Sequence, residues 1–500
     1  MTDSTGGPLP SATPELQQLV ALLGPPLRQL AEQVPVFRQQ PPTPERTYAL
    51  ERRAAEVLRE AGRVLLEQEY NRIEPPRRED CPLRLRLAGQ AYRRRPKSRN
   101  VIGTWFGPVT LWRYAYEATE AGERSLFPRE MPLGVEAGLA TPALAERVGL
   151  WSAEHEQQQV RDLLRQEHGV SWSVKGLRKV TASLRDGLAS FREEAQVARL
   201  LEWLEKATAA RGRHRPVLAA GRDGIHVPLR GEGYHEGATA TVSVLDRRGQ
   251  RLGTVYLGRM PESGQGALSA QLRALLTAVR AAWHARGRAA PRRAYVTDGG
   301  HHPKDYGRRV RRRLADPWRA GQTLAWEWVV DFWHAGGYVH RLAQALFAAE
   351  ARAWGWFRKW RRWLRDRRQG VSQVLRSAMW HYPNGQRRSK AREEWFGEGY
   401  GYLRRHSAWM AYARCRSQGL PIGSGVTEAA CKTVFAERLK RSGMTWGREG
   451  GQVIVDLRVL VMSGVWRQAH QAHLGSRPLP GTVEMPSQVP GTAKVFKKAG

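Results

Sequence analysis

The chain has 500 residues, with 81 Lys and Arg against 47 Asp and Glu, a formal net charge of +34 at neutral pH. Such an excess opposes compaction and suits a polyanionic partner. The 41 % of apolar residues can still build cores and excludes a wholly disordered basic tail. No run of about 18 apolar residues predicts a transmembrane helix, and the start, Met1 to Gly7, has neither the basic nor the apolar region of a signal peptide. Cys81, Cys415 and Cys431 include no CxxC pair, so a structural zinc or disulfide framework is not expected.

In chain order, residues 1–45 are rich in Pro, Gln and Thr and read as a poorly ordered arm with one short helix. Residues 46–135 read as an N-terminal helix (Leu50, Ala54, Val57, Leu58, Leu65) followed by a small β region with alternation at Leu83 to Leu87 and Val109 to Trp112. Residues 136–200 read as helices. Gly169 breaks one at its end, and Ser171 or Ser173 can cap the next, which carries Lys175, Arg178, Lys179 and Arg185. Helix, glycine turn and basic helix make a helix-turn-helix candidate; an αα-hairpin with a solvated charged face fits equally well.

Over residues 211–334 the period changes. Strands are predicted from Pro216 to Ala220, Thr239 to Leu245, Leu252 to Leu257, Arg293 to Thr297 and Leu324 to Val330, with helices over 266–286 and from Pro303 to Leu314. Residues 335–415, rich in Trp and Arg, read as an all-helical insertion; Trp356, Trp360 and Trp363 fall at core spacing. Residues 416–470 are a glycine turn and helices, and 475–500 a disordered tail. The order βββαβαβ is that of an α/β, RNase H-like mixed sheet, in which the first and fourth strands are neighbours.

That order sets two carboxylates together. Asp223 is expected just after the first strand and Asp298 at the end of the fourth. Paired carboxylates hold hard divalent cations, and a third from a later helix would complete a two-metal phosphoryl-transfer site. Glu428, after the loop Pro421 to Gly425, is that candidate. Singly, each has a plainer reading: Asp223 and Asp298 in glycine turns, Glu428 at a helix N-terminus. Asp331 and His334, three apart, read as support for the site or as a helix cap with its neighbour.

The segment Pro421-Ile422-Gly423-Ser424-Gly425, then Glu428-Ala429-Ala430-Cys431-Lys432, then Arg438 to Trp446, resembles the catalytic-glutamate signature of bacterial insertion-sequence transposases of the ISKra type, which carry a DDE triad. Asp331-Phe332-Trp333-His334, Thr297-Asp298-Gly299, Asp223-Gly224 and Ser173 to Leu177 are similar to other motifs of that family; the resemblance spans roughly residues 100–470. The run Tyr114 to Ala118 lacks the cysteine pair that members often carry there, and Gly299 to Pro303 is unusually His-rich.

The resemblance implies a transposase that cuts and joins DNA at its element's ends, with Asp223, Asp298 and Glu428 binding two Mg²⁺ or Mn²⁺ ions. It implies terminal inverted repeats and target DNA as partners, a homodimer or higher oligomer on DNA, no membrane partner, and a cytoplasmic, nucleoid-associated place in a bacterium. Lys175, Arg178, Lys179 and Arg185 are expected on element ends. Arg308, Arg309, Arg312, Arg358, Arg361, Arg362, Arg438, Lys440 and Arg441 are expected on phosphates near the acids. Two alternatives stay open: a non-catalytic or domesticated DNA-binding protein of transposase origin, and an RNase H-like metal-dependent nuclease.

Overall fold

The computed structural model describes residues 13–39, 41–87, 90–118, 125–128, 130–319, 321–323, 325–382 and 389–476; for residues 16, 301 and 309–313 it describes the backbone alone. The expected C-terminal tail lies almost wholly outside the described residues. The protein is mixed α/β, 58 % helical, with a five-stranded mixed sheet. The chain forms two compact units, residues 1–151, 156–184 and 472–500, and residues 152–155 and 185–471. No described helix is long and apolar enough to cross a membrane.

The first unit opens with helices α1 (Pro14–Arg38) and α2 (Pro44–Arg72). α1 runs through three prolines where one short helix in a loose arm was expected. Thr43 caps α2, its hydroxyl accepting from the Arg46 amide, with Pro44 in the first turn.

Strands β1 (Arg84–Leu87), β2 (Gln90–Thr104) and β3 (Gly107–Ala118) form an antiparallel meander with a bulge between Arg94 and Lys97. The outer edge of β3 is closed by side chains from the end of α2 and just after it. Asn71 donates to the Thr110 carbonyl (2.8 Å) and accepts from the Trp112 amide (2.9 Å), and Glu74 accepts from the Tyr114 amide (2.9 Å). These bonds satisfy backbone groups that an exposed edge would leave open.

Helices α3 (Pro142–Glu154), α4 (Gln157–His168) and the start of α5 (Val174–Ala209) share a core of Leu144, Val148, Val160, Leu164, Leu177 and Val180. Gly169, at φ 63°, ends α4 in a left-handed cap, and Ser173 caps α5 by accepting from the Gly176 amide (3.1 Å).

The second unit holds β4 (Val217–Leu229), β5 (Gly233–Leu245), β6 (Arg251–Arg259), α6 (Gly266–Ala285), β7 (Arg292–Thr297), α7 (His301–Arg313) and β8 (Glu327–Val330). The sheet order is β6-β5-β4-β7-β8; β4, β5 and β6 pair antiparallel, and β4, β7 and β8 parallel.

Both faces are covered, so the strands read as near-continuous apolar runs. Leu218, Ala220 and Tyr295 pack with Leu272, Leu276 and Trp283 of α6. Val217, Ala219 and Val296 pack toward α8 (Phe332–Leu346) and the helices after it: α9 (Glu350–Asp366), α10 (Gly370–Trp380), α11 (Lys390–His406) and α12 (Tyr412–Ser417). The described part of the region read as a Trp/Arg insertion is thus helices joined by short turns, with no strand among its described residues. Trp356 is buried and Trp360 partly so, while Trp354 and Trp380 are exposed.

The described residues close with α13 (Gly425–Ala430), a π-helical turn (Cys431–Ala436), α14 (Glu437–Leu439), α15 (Arg448–Met462) and α16 (Trp466–Gly475). Val434, Phe435, Ile454 and Val455 cover Val227 and Leu229 at the far end of β4.

Candidate active site

Asp223 lies inside a strand, not after its end as expected. β4 continues six residues past it because the hairpin to β5 extends its pairing to Leu229↔Gly233, so Arg222-Asp223-Gly224 is no turn. Strand alternation then sends Arg222 and Asp223 to opposite faces. Arg222 is buried; it donates to Ser269 Oγ (2.9 Å) and Gln265 Oε1 (2.8 Å) and lies over the Tyr306 ring.

Register places the acids. Gly221 pairs with Val296 across β4 and β7, so two residues further Asp223 stands level with Asp298. Thr297 pairs with Val330 across β7 and β8, so Asp298 stands level with Asp331. Three aspartates therefore form a row along one edge of three adjacent parallel strands.

The helix carrying Glu428 is brought to this edge by a glycine. A Cβ on Gly221 would stand 2.2 Å from Thr427 Oγ1, so only glycine lets α13 lie on β4 here. Thr427 also shares a hydrogen bond with Thr241 of β5 (2.7 Å). Glu428 follows Thr427, and its side chain is exposed.

The electrostatics tie the acids together. The Asp223 carboxyl is pushed up to about 6, first by burial and then by the charges of Asp298 and Glu428; bonds from the Gly224 amide (2.8 Å) and the Cys431 thiol work against this. Burial, with the Asp223 charge, also raises the Cys431 thiol far above its ordinary range, so it is a proton donor and not a nucleophile here.

Asp298 Oδ1 accepts from the Gly300 amide (2.8 Å), and its backbone carbonyl accepts from the Tyr402 hydroxyl (2.6 Å). Asp331 is fully buried and caps α8, its Oδ1 accepting from the His334 amide (2.5 Å). Its Oδ2 accepts from the Ser424 amide and lies 3.0 Å from Ser424 Oγ. Ser424 Oγ is also 2.6 Å from Glu428 Oε1. One hydroxyl proton serves one of these acceptors at a time, so Ser424 links Asp331 to Glu428. His334 is exposed, with its ring edge-on to Tyr338 and Tyr402.

Among the described residues, no group of three or more His, Cys, Asp or Glu side chains forms a ready-made cage for a metal ion. The donor chemistry nevertheless fits a hard cation. Asp223, Asp298 and Glu428 offer carboxylate oxygens, and their mutual repulsion at Asp223 is what a divalent ion relieves.

The cations expected around the acids separate by burial. Arg308 on α7, Arg358 and Arg362 on α9, and Lys440 are exposed, while the side chains of Arg309 and Arg312 lie outside the described ones. Arg361 is half-buried, its guanidinium 4.7 Å from the centre of the Trp333 ring, which packs against Gly423.

Arg438 differs from its expected place. It is 1 % exposed, gives two bonds to the Ser152 carbonyl (both 3.2 Å) and rests on Trp446, so it is a strut and meets no phosphate. Arg441 is exposed but bonded to the carbonyls of Glu437 and Glu154.

In the helical region Lys175, Arg178 and Lys179 are exposed, with Arg178 on Gln157. Arg185 is instead half-buried and paired with Asp186 and Asp456 (3.0 and 3.7 Å), which takes it out of the recognition set.

Sequence reasoning missed Ser424, Thr427, Gly221 and Tyr402. Ser424 carried a signal, a serine at the start of a helix. Tyr402 lies mid-helix on α11, and its role arises only from tertiary packing.

No protein-family model matches the chain, and a search of curated proteins returns no match.

Proposed function

We propose that this chain is a DDE transposase built on an RNase H-like core, cutting and joining DNA at the ends of an insertion sequence. The observation that carries the proposal is the level placement of Asp223 and Asp298 on neighbouring parallel strands, with the Glu428 helix seated on the first by Gly221. A sheet in which the first of three antiparallel strands adjoins two parallel ones, with the acids at that junction, supports the RNase H-like reading.

When bound, Mg²⁺ or Mn²⁺ held by Asp223, Asp298 and Glu428 would supply charge stabilisation for in-line phosphoryl transfer. The chain's own residues prepare the site. The Gly224 and Gly300 amides each fix one oxygen of an aspartate, Tyr402 holds the backbone of Asp298, and the Asp331–Ser424 pair fixes the start of α13. The exposed Arg308, Arg358 and Arg362 neutralise phosphates, and Lys175, Arg178 and Lys179 suit contacts to element ends. The reaction joins two DNA ends, so a dimer or higher assembly on DNA belongs to the same reading.

The test is purified protein with Mg²⁺ and DNA bearing the flanking inverted repeats. Strand transfer is expected, and its loss in Asp223→Ala, Asp298→Ala and Glu428→Ala. Cleavage without joining would favour the nuclease, and DNA left unaltered in every divalent metal a non-catalytic binding protein.

A further inference from the structure

The basic residues assigned to DNA so far leave out the three-stranded sheet of the first unit, where the chain sets arginines side by side. Burial alternates along β1: Arg84 and Arg86 are exposed, and Leu85 between them is buried. Leu85 belongs to a cluster with Tyr92, Tyr114 and Tyr116, so that cluster marks the covered face and the arginines mark the opposite one.

Register extends this open face across the sheet. Arg84 pairs directly with Arg93 of β2, and Arg93 with Glu117 of β3. Arg93 and Arg95 are both exposed, and Arg95 joins the same face through its ion pair with Glu117.

Among the described residues, four exposed arginines thus share the face with one exposed glutamate. Directly opposed residues stand about 5 Å apart at Cβ, where like charges repel. The side chains of Arg84, Arg86 and Arg93 make no hydrogen bond or ion pair with any described residue. Packing does not need them, since the apolar side of these strands faces the other way. A close-set, unneutralised array of guanidinium groups on a rigid sheet has the chemistry to recognise closely spaced phosphates. Duplex DNA, with one negative charge per about 1.7 Å of axis, supplies them.

We propose that the face carrying Arg84, Arg86 and Arg93 is a sequence-independent binding surface for duplex DNA. The choice of DNA rests on the function proposed above; the surface itself rests on the register and burial of the sheet. Its arginines hold phosphates and read no bases, so it adds affinity and salt dependence to the whole chain without altering site choice.

The experiment uses the full chain carrying Asp223→Asn, in EDTA, so catalysis does not enter and a failed strand-transfer assay leaves the result standing. Binding to a duplex of unrelated sequence is followed by fluorescence anisotropy against salt. Arg84→Gln, Arg86→Gln and Arg93→Gln together are compared with Arg28→Gln, Arg38→Gln and Arg52→Gln, an equal charge change at exposed positions on α1 and α2.

The sheet variant is expected to bind roughly ten- to a hundredfold more weakly at about 0.1 M salt, with a log–log salt slope shallower by about 2 to 3. The helix variant is expected to stay near the parent. Circular dichroism of both variants checks that the fold is kept. Equal losses in the two variants would overturn the proposal, as would a loss seen on an RNA duplex and not on DNA.

Discussion

Each unit is built on a sheet, and each sheet sets like charges next to one another with opposite sign. The five-stranded sheet lines up Asp223, Asp298 and Asp331. The three-stranded sheet opposes Arg84 to Arg93. The difference lies in how the charges are held. The aspartates accept bonds from the amides of Gly224, Gly300, His334 and Ser424, so their positions are set by backbone. The three unpaired arginines stand on long side chains with no anchor to a described residue. Fixed acids suit chemistry, which demands placement within about half an ångström; free cations suit holding a polyanion, which does not.

The comparison breaks most visibly in activity. Asp223→Asn, Asp298→Asn and Glu428→Gln are each expected to lower Mg²⁺-dependent strand transfer about a thousandfold or more, as several kcal/mol of charge stabilisation is lost. DNA affinity in EDTA is expected to hold. The triple arginine variant is expected to do the reverse, losing affinity but keeping its single-turnover rate on saturating DNA. An acid variant that cut and joined normally would end the assignment of that acid.

Arg438 sharpens the contrast between buried and exposed arginine. Arg438→Ala removes a 1 %-exposed side chain together with its bonds to Ser152, and is expected to destabilise the fold by about 2–4 kcal/mol in urea. Arg362→Ala, on an exposed position of α9, is expected to change stability by less than about 0.5 kcal/mol.

Asp223 gives a pH-dependent comparison of similar size. Its carboxyl sits at about 6 in the fold against an ordinary 3.8. A raised carboxyl is favoured in its protonated form, so its contribution is present below 3.8 and is lost as pH rises through 6. The difference corresponds to at most about 3 kcal/mol. Asp223→Asn is therefore expected to melt above the parent at pH 7.5 without divalent metal, with the gain vanishing toward pH 4. Mg²⁺ is expected to raise the parent's melting temperature and leave that of the variant. A gain independent of pH would mean that charge repulsion is not its source.

Much of the second unit was legible because strand and helix periods are strong over 211–334. The predicted order of elements matches the observed order, and Asp298 and Asp331 fall directly after their strands. Asp223 is not legible in place because Arg-Asp-Gly carries turn chemistry; only the β5 partner, supplied by tertiary pairing, overrides it. The cations were less legible still. Arg438 and Arg358 look alike in sequence, and what separates them is the packing of Trp446 and the Ser152 carbonyl around one of them. The alternation of the arginines in β1 and β2 signals only a strand; their density on one face appears once register is known.

The smallest expected effect concerns His168 of the first unit and runs against that of Asp223. His168 is 3 % exposed, its Nδ1 lies 2.7 Å from the Trp105 carbonyl, and its ring meets those of Trp105 and Trp151. An acceptor at that distance requires the proton on Nδ1, which leaves Nε2 buried without a partner among the described residues. Charging the ring would bury a cation beside Arg147, and burial holds its pKa below the ordinary 6.5. The unfolded chain then takes up the proton first, so this contribution is full above 6.5 and fades as pH falls.

Acidification from pH 7 to 5 should therefore relieve Asp223 while loosening the His168 pocket. Asn at 168 can keep a donor to Trp105 without titrating. Hydrogen exchange at the β2–β3 tip is expected to quicken on acidification, after correction for intrinsic rates, in the parent and much less in His168→Asn. His473, also in the first unit and shifted the same way, is unchanged in that variant and sets the remaining slope. Parallel slopes in parent and variant would assign the acid sensitivity to His473 or to the general basic charge instead.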